Sequence, residues 1–241
     1  MTVSTSVSIL RRINPFKSGA GHRFFCKNKK SGGITIDSYQ TIKNEARAEY
    51  IVKKSRFICS AAPVTSVQDA NEFIERISKE FWSATHNVYA YSLLEGSVKK
   101  FSDAGEPQGT AGKPCLEAIE KSGVCDACVV ITRYFGGIML GAGGLVRAYS
   151  HSAALALEAG KIITRGLCVH ELVVCDYGFY SKLAALIPAY NGIIENTCFE
   201  NNVSIYFRLP QGQDELFNKK LTDVSGGKLT AKILNTSYEE I

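Results

Sequence analysis

Apolar positions along this chain switch between a period of two and a period near 3.6, and the switches outline alternating strands and helices. Residues 46–53 and 56–64 read as two strands around Lys53-Lys54-Ser55. Ser66 and Asp69 then form a capping-box start. Ala70, Phe73, Ile74, Ile77 and Phe81 recur at helical spacing, which predicts an amphipathic helix over 67–81. Residues 87–94 alternate again, and Phe101 belongs to a short companion strand. The β-branched run 129–132 predicts a buried strand. A loop follows with five glycines in nine residues: Gly136, Gly137, Gly141, Gly143 and Gly144. Beyond it Leu145, Ala148, Tyr149, Ser152, Leu155, Ala156 and Ala159 share one helical face.

Up to Gly160 the order is strand, strand, helix, strand, strand, helix, strand, helix: an α+β unit with helices covering one sheet. Thr164-Arg165-Gly166 marks a boundary. A strand at 169–175, a helix at 180–190, a strand pair at 192–197 and 203–209, a helix at 214–224 and a strand at 228–235 follow. That order, βαββαβ, is the ferredoxin-like arrangement. It shows no catalytic constellation and reads as a binding or docking module. The expected organisation is a basic tail over 1–34, a first domain over 35–163 and a ferredoxin-like domain over 165–238.

Charge changes this picture at one end only. The net charge is +5, with 28 basic and 23 acidic residues. Residues 1–34 hold seven of the basic residues and no acidic one. Without those seven, 21 basic residues face 23 acidic ones, a net of −2. Basic character therefore belongs to the tail, and pI alone does not argue for nucleic-acid binding. The tail reads as disordered and dispensable for the fold, with three origins open: a disordered basic arm, an organelle transit peptide or upstream sequence foreign to the native product. Eight cysteines in 241 residues form no disulfide framework, so a reducing cytoplasm is expected. No apolar run approaches the ~20 residues of a membrane span.

The glycine loop between strand and helix suits an anion. Amides in a helix's first turn lack intrahelical partners and carry partial positive charge. Arg133 at the strand's end and Arg147 in the helix's first turn could reach the same space, and His151 follows on the stripe of Arg147. Glycines also serve tight turns and close packing without any ligand. Nucleotide fingerprints fail: Gly112-Lys113 leads into Pro114, and Val146 stands where a dinucleotide loop needs a small residue. A second loop, 102–114, holds Asp103, Glu106 and Lys113, with Thr110 as candidate cap of a helix running to Ser122. A solvated turn is the competing reading. Cys125-Asp126-Ala127-Cys128 lacks a second pair and enters a strand, so buried thiols are expected rather than zinc or a redox pair. His86 stands alone unless the fold brings it to Glu106 and Arg133. No metal and no cofactor are expected.

These residues also carry a resemblance. Ser102-Asp103-Ala104-Gly105-Glu106-Pro107, with Gly109-Thr110-Ala111-Gly112-Lys113-Pro114, resembles one signature of the Impact family. Arg133-Tyr134-Phe135-Gly136-Gly137, Leu140-Gly141, Gly143-Gly144-Leu145 and Arg147-Ala148-Tyr149 resemble its second. Lys54-Ser55-Arg56-Phe57 and Ala84-Thr85-His86-Asn87 match upstream pieces. Ala104 is an extra residue where many members run directly from Asp to Gly, and members usually begin near Tyr39. The resemblance, to the bacterial YigZ type, covers about residues 37–238. It implies a ribosomal-protein-five second-domain-like fold for the first domain. For the second it implies likeness to the ferredoxin-like C-terminal domain of elongation factor G. Eukaryotic relatives regulate translation through an additional domain, and that part does not carry over.

Two functional readings follow, beside a bland one in which both motifs serve folding and docking only. In the first, the protein is a translation-linked factor that binds RNA or the ribosome. A phosphate-like anion would sit among Lys113, Arg133, Tyr134, Gly136, Gly137, Gly141, Gly143, Gly144 and Arg147. In the second, it is a small hydrolase of phosphoesters or peptides, with Glu106 as general base, His86 as acid or orienter and Arg133 holding a carboxylate or phosphate.

Overall fold

The computed structural model describes residues 38–241, so the expectations for the 1–34 tail fall outside the described residues. In chain order the elements are β1 (Ser38–Ile42), β2 (Ala46–Val52), β3 (Ser55–Pro63), α1 (Val67–Glu80), β4 (His86–Ser92), β5 (Lys99–Ser102), α2 (Gly112–Ser122), β6 (Ala127–Tyr134), α3 (Ala142–Ala159), β7 (Ile162–Cys175), α4 (Tyr177–Ala189), β8 (Ile193–Phe199), β9 (Val203–Pro210), α5 (Gln213–Ser225) and β10 (Lys232–Glu240).

The first sheet runs β2-β3-β6-β4-β5. Its centre is β6, whose alternation serves two cores. Ala127, Val129 and Ile131 pack with α2 and α3, while Cys128 and Val130 pack with Phe73 and Ile77 of α1. The sheet is therefore covered on both faces. Arg133 continues the odd-numbered positions and faces the α2–α3 side, which decides where its charge must go. Helix α1 starts as its sequence demands. Ser66 caps the Asp69 amide, and the Asp69 carboxylate returns to the Ser66 amide at 3.0 Å.

The second sheet has the ferredoxin-like order β10-β7-β9-β8, with α4 and α5 over a core of Val173, Leu183, Ile187, Phe207 and Phe217. Three features depart from the sequence expectation. The strand expected at 169–175 is the second half of β7, which runs unbroken through Thr164, Arg165 and Gly166. The last strand begins at Lys232 rather than at 228. An unforeseen strand, β1, pairs with residues 162–166 of β7, while β9 pairs with residues 168–175. Both lie along one edge of β7, and β10 holds the other.

One buried charge in this unit gives a test of the fold. Glu171 on β7 is fully buried, and its Oε1 accepts from Asn218 Nδ2 of α5 at 3.0 Å. Oε2 has no partner among the described residues. Burial raises its pKa, with Asp214 adding to the rise and the Asn218 bond opposing it. Such a group stabilises the fold below its unfolded value near 4.5. That contribution is lost as the pH climbs through the raised folded value. Glu171→Gln is therefore expected to melt above wild type at pH 8 and to match it near pH 4. Melting curves at both pH values check this, and a Gln variant that melts lower at pH 8 contradicts it.

Candidate functional site

The register of the first sheet places Arg133 of β6 directly between Phe57 of β3 and His86 of β4. Opposed residues on antiparallel strands share a face. The three side chains therefore stand in a row toward α2 and α3. The loop between β5 and α2 closes over that row, and Asp103 shapes it. Its Oδ1 accepts the amides of Ala111 and Gly112 at 3.1 and 2.8 Å, and its Oδ2 the amide of Gly109 at 2.8 Å. Asp103 thus satisfies the start of α2 from outside the helix. Thr110, the expected cap, does not do so. Ala111 holds the cap position, and the Thr110 hydroxyl donates to the Pro107 carbonyl at 2.6 Å.

Shaped this way, the loop delivers Glu106 into the interior. Its Oε1 accepts Arg133 Nη1 at 2.6 Å and the Tyr149 hydroxyl at 2.7 Å. The Arg133 and Glu106 side chains are only 6% and 3% exposed, so this is a buried ion pair braced by a phenol from α3. Burial, and then the bond to Glu106, push the Tyr149 phenol well above its usual range. His86 Nδ1 lies 2.9 Å from the Ala104 carbonyl. A carbonyl only accepts, so Nδ1 carries a proton and Nε2 faces Glu106 Oε1 across 3.9 Å. Ala104, the extra residue of the loop, thereby orients the imidazole. Arg133 Nη2 reaches Ser55 Oγ at 3.3 Å, and the same oxygen accepts the Gly136 amide at 3.3 Å. Arg133 Nε is buried without a partner among the described residues.

The glycine loop divides its labour. Gly136 lies against the backbone of Lys54 and Ser55, where a Cβ would overlap the Lys54 carbonyl. Gly141 takes φ 71° and turns the chain into α3. The first α3 bond runs from Leu145 N to Gly141 O, so the amides of Ala142, Gly143 and Gly144 have no intrahelical acceptor. Arg147 is exposed, and its Nη1 lies 3.7 Å from where a Cβ on Gly143 would stand. Its guanidinium therefore sits over the helix start.

The nominated residues thus form two groups. Glu106, Arg133 and His86 meet inside; Gly141, Gly143, Gly144 and Arg147 meet at the surface. Gly137 lies exposed between the groups. Tyr134 points to the opposite face of β6 from Arg133. Lys113 is exposed in the first turn of α2. His151 is exposed and packs edge-on against Tyr50. Tyr149 and Ser55 were not nominated. Tyr149 carried a signal: it is the one long polar-tipped side chain on the buried face of α3, and a buried phenol needs an acceptor. Cys125 and Cys128 are both buried, and burial raises the Cys128 thiol above its usual range.

The second unit holds a polar network that its sequence did not announce. His170 of β7 lies 3.0 Å from Glu195 of β8 through Nδ1 and 2.7 Å from Ser237 of β10 through Nε2. This resembles a nucleophile–base–carboxylate relay. Ser237, however, donates to Glu239 at 2.8 Å, so His170 Nε2 donates to Ser237 and is not placed to take its proton. The network ties β8, β7 and β10 together.

Residues 53–157 match the Impact N-terminal domain, and residues 173–228 match a domain of unknown function, DUF1949. Impact family member YvyE of Bacillus subtilis is 36% identical over 206 residues, 85% of this chain and 95% of that protein. The chain belongs to the Impact family. Impact family member YigZ of Escherichia coli is 35% identical over 181 residues, 74% of this chain and 89% of that protein. Rat Protein IMPACT shares 32% identity over 93 residues, 29% of its own length. A crystal structure described as a hypothetical protein shares 32% identity with a TM-score of 0.55, covering 83% of this chain and 99% of that one. The first Impact signature carries Asp103 and Glu106 and the second carries Arg133 and the start of α3, so the inner group draws on both signatures and on the upstream piece with His86, while the surface group lies within the second. Among the described residues no helix is long and apolar enough to cross a membrane.

Proposed function

We propose that this Impact-family protein is a cytoplasmic, translation-linked factor that binds RNA or the ribosome by holding a backbone phosphate at the start of α3. The coincidence of three acceptor-free amides with the Arg147 guanidinium beside Gly143 carries this reading. Such a helix start attracts an anion through both its amides and its dipole. Arg133 acts from behind. Its charge is neutralised by Glu106, and through Ser55 it fixes Gly136 and hence the loop. The translation-like folds that the family resemblance implies for both domains point in the same direction. With a near-neutral body, affinity depends on this local site rather than on overall charge.

Arg147→Ala in the full chain is expected to weaken ribosome and RNA co-sedimentation several-fold and to lower the salt slope by about one. The unaltered tail is common to both proteins, so the difference reports the site. Equal affinity and slope would remove the assignment.

One distance favours a second reading. The 3.9 Å between His86 Nε2 and Glu106 Oε1 is a gap that a water or substrate hydroxyl would bridge. Glu106 would then serve as base of a small phosphoester or peptide hydrolase. A substrate screen in which Glu106→Gln loses the activity supports it; equal activity ends it.

A further inference from the structure

We infer that the ligand at the α3 site is single-stranded RNA, gripped by the Lys53–Lys54 turn and stacked on Phe135. This rests on the phosphate-site reading above and adds the ligand's class. Because Gly136 is seated on the backbone of Lys54, the β2–β3 turn and the glycine loop are one continuous surface. Val52 pairs with Ser55, so the turn has two residues, and both lysines are exposed. A two-residue hairpin turn of this kind needs left-handed backbone at both positions, which Asn-Gly supplies readily. Here Lys53 and Lys54 take it, with φ 45° and 64°. Two cations thus stand where local conformational preference opposes them, beside a loop that offers amides and Arg147 to a phosphate. Arg56, the next cation along, is paired with Glu49 at 2.9 Å and adds nothing to this set.

Phe135 supplies what a bare anion site lacks. It leaves β6 with its amide bonded to Thr85 Oγ1 at 3.3 Å, and the Arg133 guanidinium carbon lies 5.5 Å from its ring centre. Held from within by that cation, the side chain remains 49% exposed. A fixed, half-open aromatic ring one residue from the contact of Gly136 with the Lys54 backbone is a platform for a base. Bases in a duplex are stacked on each other and unavailable to it; those of a single strand are free.

The test uses the full chain with two labelled probes, a twelve-nucleotide oligouridine and a blunt-ended twelve-base-pair RNA duplex, read by fluorescence anisotropy. Lys53→Asn with Lys54→Gly restores the favoured turn. This variant is expected to melt above wild type yet bind the single strand about 10-fold more weakly, so its loss cannot be misfolding. Phe135→Ala is expected to lose a similar factor on the single strand and nothing on the duplex. If the duplex binds as well as the single strand and neither variant changes affinity, while Arg147→Ala weakens both probes, the inference falls and the phosphate site stands. If Arg147→Ala also changes nothing, the phosphate reading falls and takes the inference with it.

Discussion

Arg133→Met is expected to lower the stability of the protein by about 3–5 kcal/mol, the usual consequence of leaving one member of a buried ion pair alone. The Met side chain approximates the aliphatic stem of arginine but deletes the charge. Glu106 then sits at the same depth, with the Tyr149 hydroxyl as its remaining short bond. One feature separates this outcome from a simple packing defect. The deficit shrinks when Glu106→Gln is added, because an uncharged amide still accepts from Tyr149 and no ion remains unpaired. Denaturant unfolding of the single and double variants reads this effect. A loss below about 1 kcal/mol, or no recovery in the double variant, would mean that the pair does not hold the loop to the sheet.

Gly136→Ala is the second large effect, and its cause is steric. A methyl group there overlaps backbone atoms of Lys54 and Ser55, which cannot rotate away as a side chain could. The glycine loop must lift from the β2–β3 turn, and the Gly136–Ser55 bond goes with it. The expected destabilisation is about 3 kcal/mol, or roughly 6–12 °C in melting temperature for a chain of this size. Gly137→Ala is the natural control, since a Cβ there meets nothing within 4 Å and only its φ of 80° resists the change. Equal melting of the two variants would show that the close approach at Gly136 contributes nothing of its own.

Both effects could be located in the sequence only in part. The strand–loop–helix plan of β6 and α3 was legible because a buried β-branched run and a helical stripe leave different periods. That Glu106, Arg133 and His86 meet was not legible. Their meeting depends on register between β4 and β6, which side-chain alternation does not number. The cap of α2 was misread for a related reason: Thr110 is a local candidate, whereas Asp103 reaches the same amides from a distant point of a folded loop. The last strand was placed four residues early because most of β10 is exposed and shows no alternation. Strand β1, five residues of mixed polarity, is defined by its partner rather than by its own pattern.

That partner lies far downstream. Ile42 pairs with Ile162, 120 residues later. At ~5–20 residues per second of synthesis, β1 emerges roughly 6–24 s before the strand that completes it exists. The first sheet can assemble in that interval, with β1 waiting beside it. Until β7 appears, β1 is tied to the first unit by the Cys125 amide on the Gln40 carbonyl and the Thr41 hydroxyl on the Asp126 carbonyl, and a ribosome stalled anywhere before Ile162 holds a chain with an open strand edge.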